Sequence, residues 1–225
     1  MDLEIVVTGT AAEAADTVAE LLADAARAGA AIVLAGGTTP RAAYALAAAA
    51  EPDWSGAEVW LGDERLVPLD DPRSNARLAR EALLDRLATP PTMHAVRTEL
   101  PREEAAAAYD RELRGARLDF ALLGLGPDGH TASLFPDAPA LDERLRLAVA
   151  ADPGFEPWVD RVTLTLPALT APAHVVFMVV GQQKAEAARR AFAEQPSASV
   201  PASLVRSAAG RTTAILDREA AALLD

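Results

Sequence analysis

The chain has 225 residues, 51% hydrophobic and 24% charged, and its 21 Lys+Arg against 33 Asp+Glu leave a net charge of −12. That length and apolar content can bury a substantial core, which excludes disorder as the main state and fits one large domain or two small ones; the strong negative charge and the lack of any basic groove exclude nucleic acid as an expected partner. Cys is 0, so disulfides, thiolate zinc sites and cysteine nucleophiles are excluded as well.

The first apolar run follows Asp2 and Glu4 and lacks the basic start and long apolar core of a signal peptide, and no segment is apolar for long enough to span a bilayer. A cytoplasmic protein with no membrane partner is expected. Short β-branched runs predict strands at 3–8, 31–35, 58–61, 119–124, 147–150, 161–166, 174–180 and 212–216, with a short one around 93–96. Ala-rich amphipathic stretches between them predict helices at 11–28, 40–50, 75–87, 102–114 and 182–193. About a quarter of the residues are Ala, which suits helices, strands and loops alike and leaves the boundaries soft. The alternation predicts an α/β fold of Rossmann-like type, a mostly parallel sheet with helices on both faces. In such sheets ligands sit beyond the carboxyl ends of the strands, so the loops entering the helices are where chemistry is expected.

The second strand ends in Ala35-Gly36-Gly37-Thr38-Thr39-Pro40, with Arg41 opening a helix. Two glycines, two hydroxyls and a helix N-terminus suit a phosphate, although a Gly turn with a Thr N-cap would account for the same residues. The third strand runs into Gly62-Asp63-Glu64-Arg65, and Ser74-Asn75 follow at a helix start. Arg65 is suited to a bidentate anion and Asp63 to sugar hydroxyls or to orienting a base; a surface ion cluster with Ser74 or Asn75 as a cap is the competing interpretation.

The strand at 119–124 is apolar in its later part and is expected at the centre of the sheet. Its loop, Gly124-Leu125-Gly126-Pro127-Asp128-Gly129-His130-Thr131, matches G-x-G-x-x-G literally, but Pro136 and Pro139 leave little room for the helix that a dinucleotide site requires. The loop instead offers Asp128 and His130, a carboxylate and an imidazole two residues apart. Of the 3 His in the chain, His94 lies in a Pro-flanked connection and His174 opens an apolar strand, and both are expected to be structural. Lys184, the sole Lys, stands where strand 174–180 enters a helix and favours a point-charge contact with a phosphate. With no metal-ligand constellation and no serine nucleophile elbow, the rim suggests water activation or proton transfer on a small phosphorylated compound.

These segments resemble the signatures of the 6-phosphogluconolactonase family. The resemblance is carried by Gly36-Gly37-Thr38-Thr39-Pro40, Gly62-Asp63-Glu64-Arg65-Leu66-Val67-Pro68 with Ser74-Asn75, and Gly124 to Pro136. It continues through Arg161-Val162-Thr163-Leu164-Thr165-Leu166-Pro167, Gly181-Gln182-Gln183-Lys184-Ala185 and Pro201-Ala202-Ser203, in family order across nearly the whole chain. It implies a single domain over residues 1–225 with the fold shared with glucosamine-6-phosphate deaminase, and hydrolysis of 6-phospho-D-glucono-1,5-lactone in the pentose phosphate pathway, with neither cofactor nor metal. At matching positions it implies His130 as the base that activates water, with Asp63, Arg65 and Asp128 around the sugar. Gly36, Gly37, Thr38 and Lys184 hold the phosphate in that scheme, and Thr39, Ser74, Asn75 and Arg161 complete the substrate-binding set. The implied partner is a phosphorylated sugar lactone, bound by a monomer or small homo-oligomer.

Two alternatives remain at the level of sequence. A deaminase/isomerase-like enzyme shares the Asp-Gly-His core, but its loop carries an acidic residue before the proline, where this chain has Phe135 before Pro136. A non-catalytic sugar-phosphate sensor would be expected to carry a helix-turn-helix segment, for which the chain leaves no room.

Overall fold

The computed structural model describes residues 3–224. In chain order these form β1 (Leu3–Thr8), α1 (Ala11–Arg27), β2 (Ala31–Leu34), α2 (Arg41–Ala50), β3 (Glu58–Leu61), β4 (Asp63–Arg65), α3 (Asn75–Ala82), β5 (Thr92–His94), α4 (Arg102–Leu113), β6 (Phe120–Leu123), β7 (Ala148–Ala151), β8 (Arg161–Leu164), α5 (Leu166–Thr170), β9 (His174–Val179), α6 (Ala185–Phe192) and β10 (Arg211–Asp217). Seven strands make a parallel sheet in the order β1-β10-β9-β6-β2-β3-β5, with β6 at its centre as its apolar sequence predicts.

Side chains alternate across this sheet with the period of two that a strand imposes. Ile32, Leu34, Val59, Leu61, Phe120, Leu122, Val176 and Met178 pack with residues of α1, α2 and α3 on one face. Val33, Trp60, Ala121, Leu123, Val175, Phe177 and Val179 pack with α4, α5 and α6 on the other. Both faces are therefore covered, as a parallel sheet requires. The buried surface of α1 is largely alanine, including Ala14, Ala15 and Ala19, and it meets Ala43, Ala47 and Ala48 of α2. Small side chains at the contact let the two helices lie close.

Two expected strands do not belong to this sheet. The runs at 147–150 and 161–166 correspond to β7 and β8, which pair antiparallel with each other, and β8 pairs antiparallel with β4 in a separate sheet of order β4-β8-β7. The connection between β7 and β8 is too short for the crossover that parallel pairing needs, so the chain folds back instead. The charged tripeptide Asp63-Glu64-Arg65, into which the third strand is expected to run, is a separate strand, β4, because it passes from one sheet directly to the other. Gly62 is the junction: its N–H donates to Leu34 O at 3.0 Å in the first sheet and its carbonyl accepts from Leu164 N at 2.9 Å in the second. The helix predicted at 75–87 ends at Ala82 and is followed by a 3-10 turn at Leu84–Arg86. Likewise the helix predicted at 182–193 opens with a 3-10 turn, Gln182–Lys184, after Gly181 at φ 90°. Among the described residues, no helix is long and apolar enough to cross a membrane.

The N-terminus of α3 is held by Glu64, which is 0% exposed. Its carboxylate accepts from the backbone N–H of Arg65, Asn75 and Ala76, each at 2.7 Å, and from Ser74 Oγ at 3.1 Å. Ser74 Oγ in turn caps the helix by accepting from Arg77 N at 3.1 Å. A carboxylate suits this place because the first N–H groups of a helix lack internal partners and carry its positive end. Burial is the larger effect and raises the Glu64 carboxyl above its ordinary 4.5, against the pull of these donors. The native state thus binds the proton more tightly than the unfolded chain. The contribution of this group to stability is complete below 4.5 and declines as pH rises through its raised native value. Replacing Glu64 by Ala strands several buried donors, and urea unfolding at neutral pH is expected to show a loss of about 2–4 kcal/mol; an unaltered midpoint is the contrary result.

Candidate active site

The carboxyl ends of β2, β3, β6 and β9 open on one cleft of about 430 Å³. Gly36, Gly37, Thr38 and Thr39, leaving β2, form one wall. Gly37 has φ +88° and open space where a side chain would stand, so its backbone is free for close approach by a ligand. Gly36 is small for another reason: a Cβ there would run into the amide of Asn75. The cap of α2 is Pro40 and makes no side-chain hydrogen bond. The Thr-cap alternative is therefore not realised, and Thr38 and Thr39 line the cleft. Tyr44 O–H donates to Ala35 O at 2.6 Å and ties α2 to the start of this turn.

The loop from β6, the neighbouring strand, forms another part of the wall. Gly126 N donates to His130 O at 2.8 Å and Gly129 N to Gly126 O at 3.0 Å, with Gly129 at φ +92°. The space beside Gly126 is filled by the His130 ring and the Asp128 carboxylate, which any larger residue would displace. His130 lines the cleft, and its Nδ1 lies 2.5 Å from Asp128 Oδ1, which also accepts from His130 N at 3.1 Å. Asp128 itself is not on the cleft wall; it stands behind the ring. Burial pushes its carboxyl up, but the hydrogen bonds and charge of His130 outweigh burial and hold it below the usual 3.8. At neutral pH Asp128 is an acceptor only, so Nδ1 of His130 is the donor in this hydrogen bond. Phe135 and Phe155 flank the ring, with centroids 4.9 and 5.5 Å away. No α-helix follows this loop before β7, so the literal G-x-G-x-x-G lacks the helix N-terminus of a dinucleotide site.

Asp63 reaches the cleft from β4 and is 6% exposed. Its Oδ1 accepts from Asn75 Nδ2 at 2.9 Å, its Oδ2 from Ser133 Oγ at 2.5 Å, and Arg161 Nη1 stands 3.7 Å from Oδ2. Arg65 also lines the cleft; its Nη1 donates to Arg73 O at 2.8 Å, while its Nε is buried without a partner. Ser74 and Asn75, expected among the substrate-binding residues, are 2% exposed and do not line this cleft. They serve the two acids instead, Asn75 on Asp63 and Ser74 on Glu64.

Arg161 borders the cleft but is itself 2% exposed. Its Nη2 donates to Phe155 O at 2.7 Å and Pro157 O at 3.0 Å, and the guanidinium lies 5.3 Å from the Phe135 ring centroid. Those donors hold the 152–160 loop, and burial lowers the pKa of the side chain. Lys184 lines the cleft from the turn after β9. Its pKa is lowered by burial, with Asp128 pulling the other way. The other two histidines lie off this cleft: His94 stacks on Trp60 at 3.8 Å, and His174, 3.0 Å from Thr213 Oγ1, is pushed down to about 4 by burial and by Arg211.

The structure thus brings Gly36, Gly37, Thr38, Thr39, Asp63, Arg65, His130, Arg161 and Lys184 to one cleft. Two contributors escaped sequence reasoning. Ser133 sits inside the His130 motif but carries no signal of its own, and Phe155 lies in a Pro-rich loop whose path depends on partners distant in sequence, Arg161, Arg102 and Leu66. Among the described residues, no group of three or more His, Cys, Asp or Glu is placed to hold a metal ion.

Residues 7–214 match the family model for glucosamine-6-phosphate isomerases/6-phosphogluconolactonase. A 6-phosphogluconolactonase of Homo sapiens is 42% identical over 170 residues, which span 72% of this chain and 66% of that protein. The solved structure of 6-phosphogluconolactonase from Trypanosoma cruzi superposes with a TM-score of 0.88 at 28% identity, covering 99% of this chain and 97% of that one. A monomeric glucosamine-6-phosphate deaminase, 20% identical with a TM-score of 0.83 over 98% and 99% of the two chains, shares the fold. The chain belongs to the glucosamine-6-phosphate isomerase/6-phosphogluconolactonase family.

Proposed function

We propose that this protein hydrolyses 6-phospho-D-glucono-1,5-lactone to 6-phospho-D-gluconate, with His130 as the general base. The observation that carries the reading is His130, backed by Asp128 at 2.5 Å, on the same cleft as the Gly37-Thr38-Thr39 turn and Lys184. In this scheme the phosphate rests on the turn and on the ammonium of Lys184, remote from the reacting carbon, and its binding energy orients the ring. Nε2 of His130 takes a proton from water as the water oxygen bonds to C1. Arg65, whose side chain makes no salt bridge among the described residues, donates to the oxyanion in this scheme. Collapse of the tetrahedral intermediate breaks the bond between C1 and the ring oxygen, and the proton held by His130 passes to that oxygen. Asp128 keeps the imidazole in the required tautomer and supports its charged form. Asp63, with both oxygens already braced from behind, accepts from sugar hydroxyls.

Phe135 favours lactone hydrolysis over amino-sugar chemistry, because it presents an apolar ring to His130 and has no proton to exchange. A cytoplasmic setting fits the absence of Cys and the lack of a membrane-crossing helix among the described residues. Small sugar phosphates, without nucleic acid, are the expected partners of a chain with this charge, and a monomer or small homo-oligomer accommodates a cleft built from one chain.

The test is release of 6-phosphogluconate from freshly made lactone, corrected for spontaneous opening, with glucosamine 6-phosphate as the control substrate. His130→Ala is expected to leave folding intact and cut kcat by about 10² or more; wild-type turnover in the folded variant removes the assignment. Asp128→Asn, which cannot hold the same proton arrangement, is expected to lower kcat by about tenfold or more with little change in KM. Lys184→Ala is expected to act on KM, since a phosphate contact is felt equally before and during reaction; a collapse of kcat at constant KM would move Lys184 to the reacting carbon.

A further inference from the structure

Beside the catalytic cleft lies a second one of about 720 Å³, which shares Gly37, Thr38, Arg65 and Glu156 with it. Its own walls carry Arg41, Arg73, Arg77 and Trp158. Four guanidinium groups on one cleft are a local concentration of positive charge in a chain of net charge −12. Two of them are matched by acids, Arg73 by Asp71 at 2.7 Å and Arg77 by Glu81 at 2.6 Å. Arg41 reaches Glu81 only at 3.6 Å, and Arg65 makes its side-chain hydrogen bond to a carbonyl. Glu156 is the remaining acid on the wall, so cationic donors are left in excess. Arg65, which lines both clefts, has its Nε buried without a partner among the described residues, a donor whose hydrogen bond is unmet there. The third feature is Trp158, 66% exposed, whereas Trp54 and Trp60 are 0% and 2% exposed. An indole left in water beside guanidinium groups is a platform for a flat ring that also bears negative charge.

We propose that this second cleft binds a nucleoside monophosphate, with its base against Trp158 and its phosphate among the guanidinium groups led by Arg41. A sugar phosphate would satisfy the arginines but leave the indole uncovered, and a nucleoside would do the reverse. Because the cleft shares Thr38 and Arg65 with the catalytic one, its occupant lowers affinity for the sugar phosphate, and by linkage the sugar phosphate lowers affinity for the nucleotide. The proposal does not rest on the lactonase reading, since binding is measured without turnover.

The experiment is titration of the full chain with adenosine 5′-monophosphate, followed by Trp emission and by calorimetry. With Trp54 and Trp60 enclosed, the emission change reports Trp158 and is expected to vanish in Trp158→Phe, while in Trp158→Ala the calorimetric affinity is expected to fall about tenfold through lost stacking. Arg41→Ala is expected to weaken binding about tenfold while leaving kcat unchanged, and raised salt is expected to weaken it further. Adenosine and ribose 5-phosphate serve as the half-ligands, each expected to bind at least tenfold more weakly. The proposal is overturned if adenosine 5′-monophosphate gives neither heat nor emission change. It is also overturned if ribose 5-phosphate binds equally well, which would mean a sugar-phosphate site, or if Arg41→Ala leaves the affinity unchanged, which would mean occupancy of the catalytic cleft alone.

Discussion

Two neighbouring acids, Asp63 and Glu64, are buried at 6% and 0% exposure where β3 gives way to β4, and this costly placement organises the rest of the site. Charges removed from water must be repaid with hydrogen bonds, and here the donors come from different parts of the chain. The start of α3 answers Glu64, while Asn75 and Ser133 answer Asp63. Each donor drags its own segment into the same corner. Ser133 brings the His130 loop, and Arg161 brings the far wall. The site is thus assembled around a polar junction between two sheets, at Gly62, which bonds to both.

Much of the main sheet was legible because its strands obey a simple rule: apolar on both faces, bounded by turns, and separated by Ala-rich helices. The strands 3–8 and 58–61 coincide with β1 and β3 to the residue. What could not be read was β4. Three consecutive charged residues have no strand propensity, and they extend only because partners distant in sequence satisfy them. The same limit applies to β7 and β8, whose local sequence resembles any buried strand while their sheet membership depends on a connection too short to cross over. Helix ends at Ala82 and Ala185 were misjudged because alanine carries no boundary information.

At the cleft, residue type pointed to the loops that line it but did not separate residues on its wall from residues that support them. Gly36 and Gly37 look equivalent in sequence, yet one makes room for Asn75 and the other leaves its backbone open. Asp128 and His130 are two residues apart, which brings them together in the folded loop, but only the packing beside Gly126 shows why the carboxylate sits behind the ring. Asn75 and Arg161 illustrate the general difficulty: both are polar and near the ligand space, and both direct most of their hydrogen bonds into the protein.

The grip of Arg161 on the carbonyls of Phe155 and Pro157 has a consequence for how the site could diversify. Main-chain oxygens are the same whatever side chain they accompany, so the guanidinium fixes the course of that wall without dictating its chemistry. Residues 155, 156 and 158 are thereby free to be exchanged while the backbone stays in register with the imidazole. The mouth can be retuned for a differently decorated substrate without rebuilding the floor beneath it.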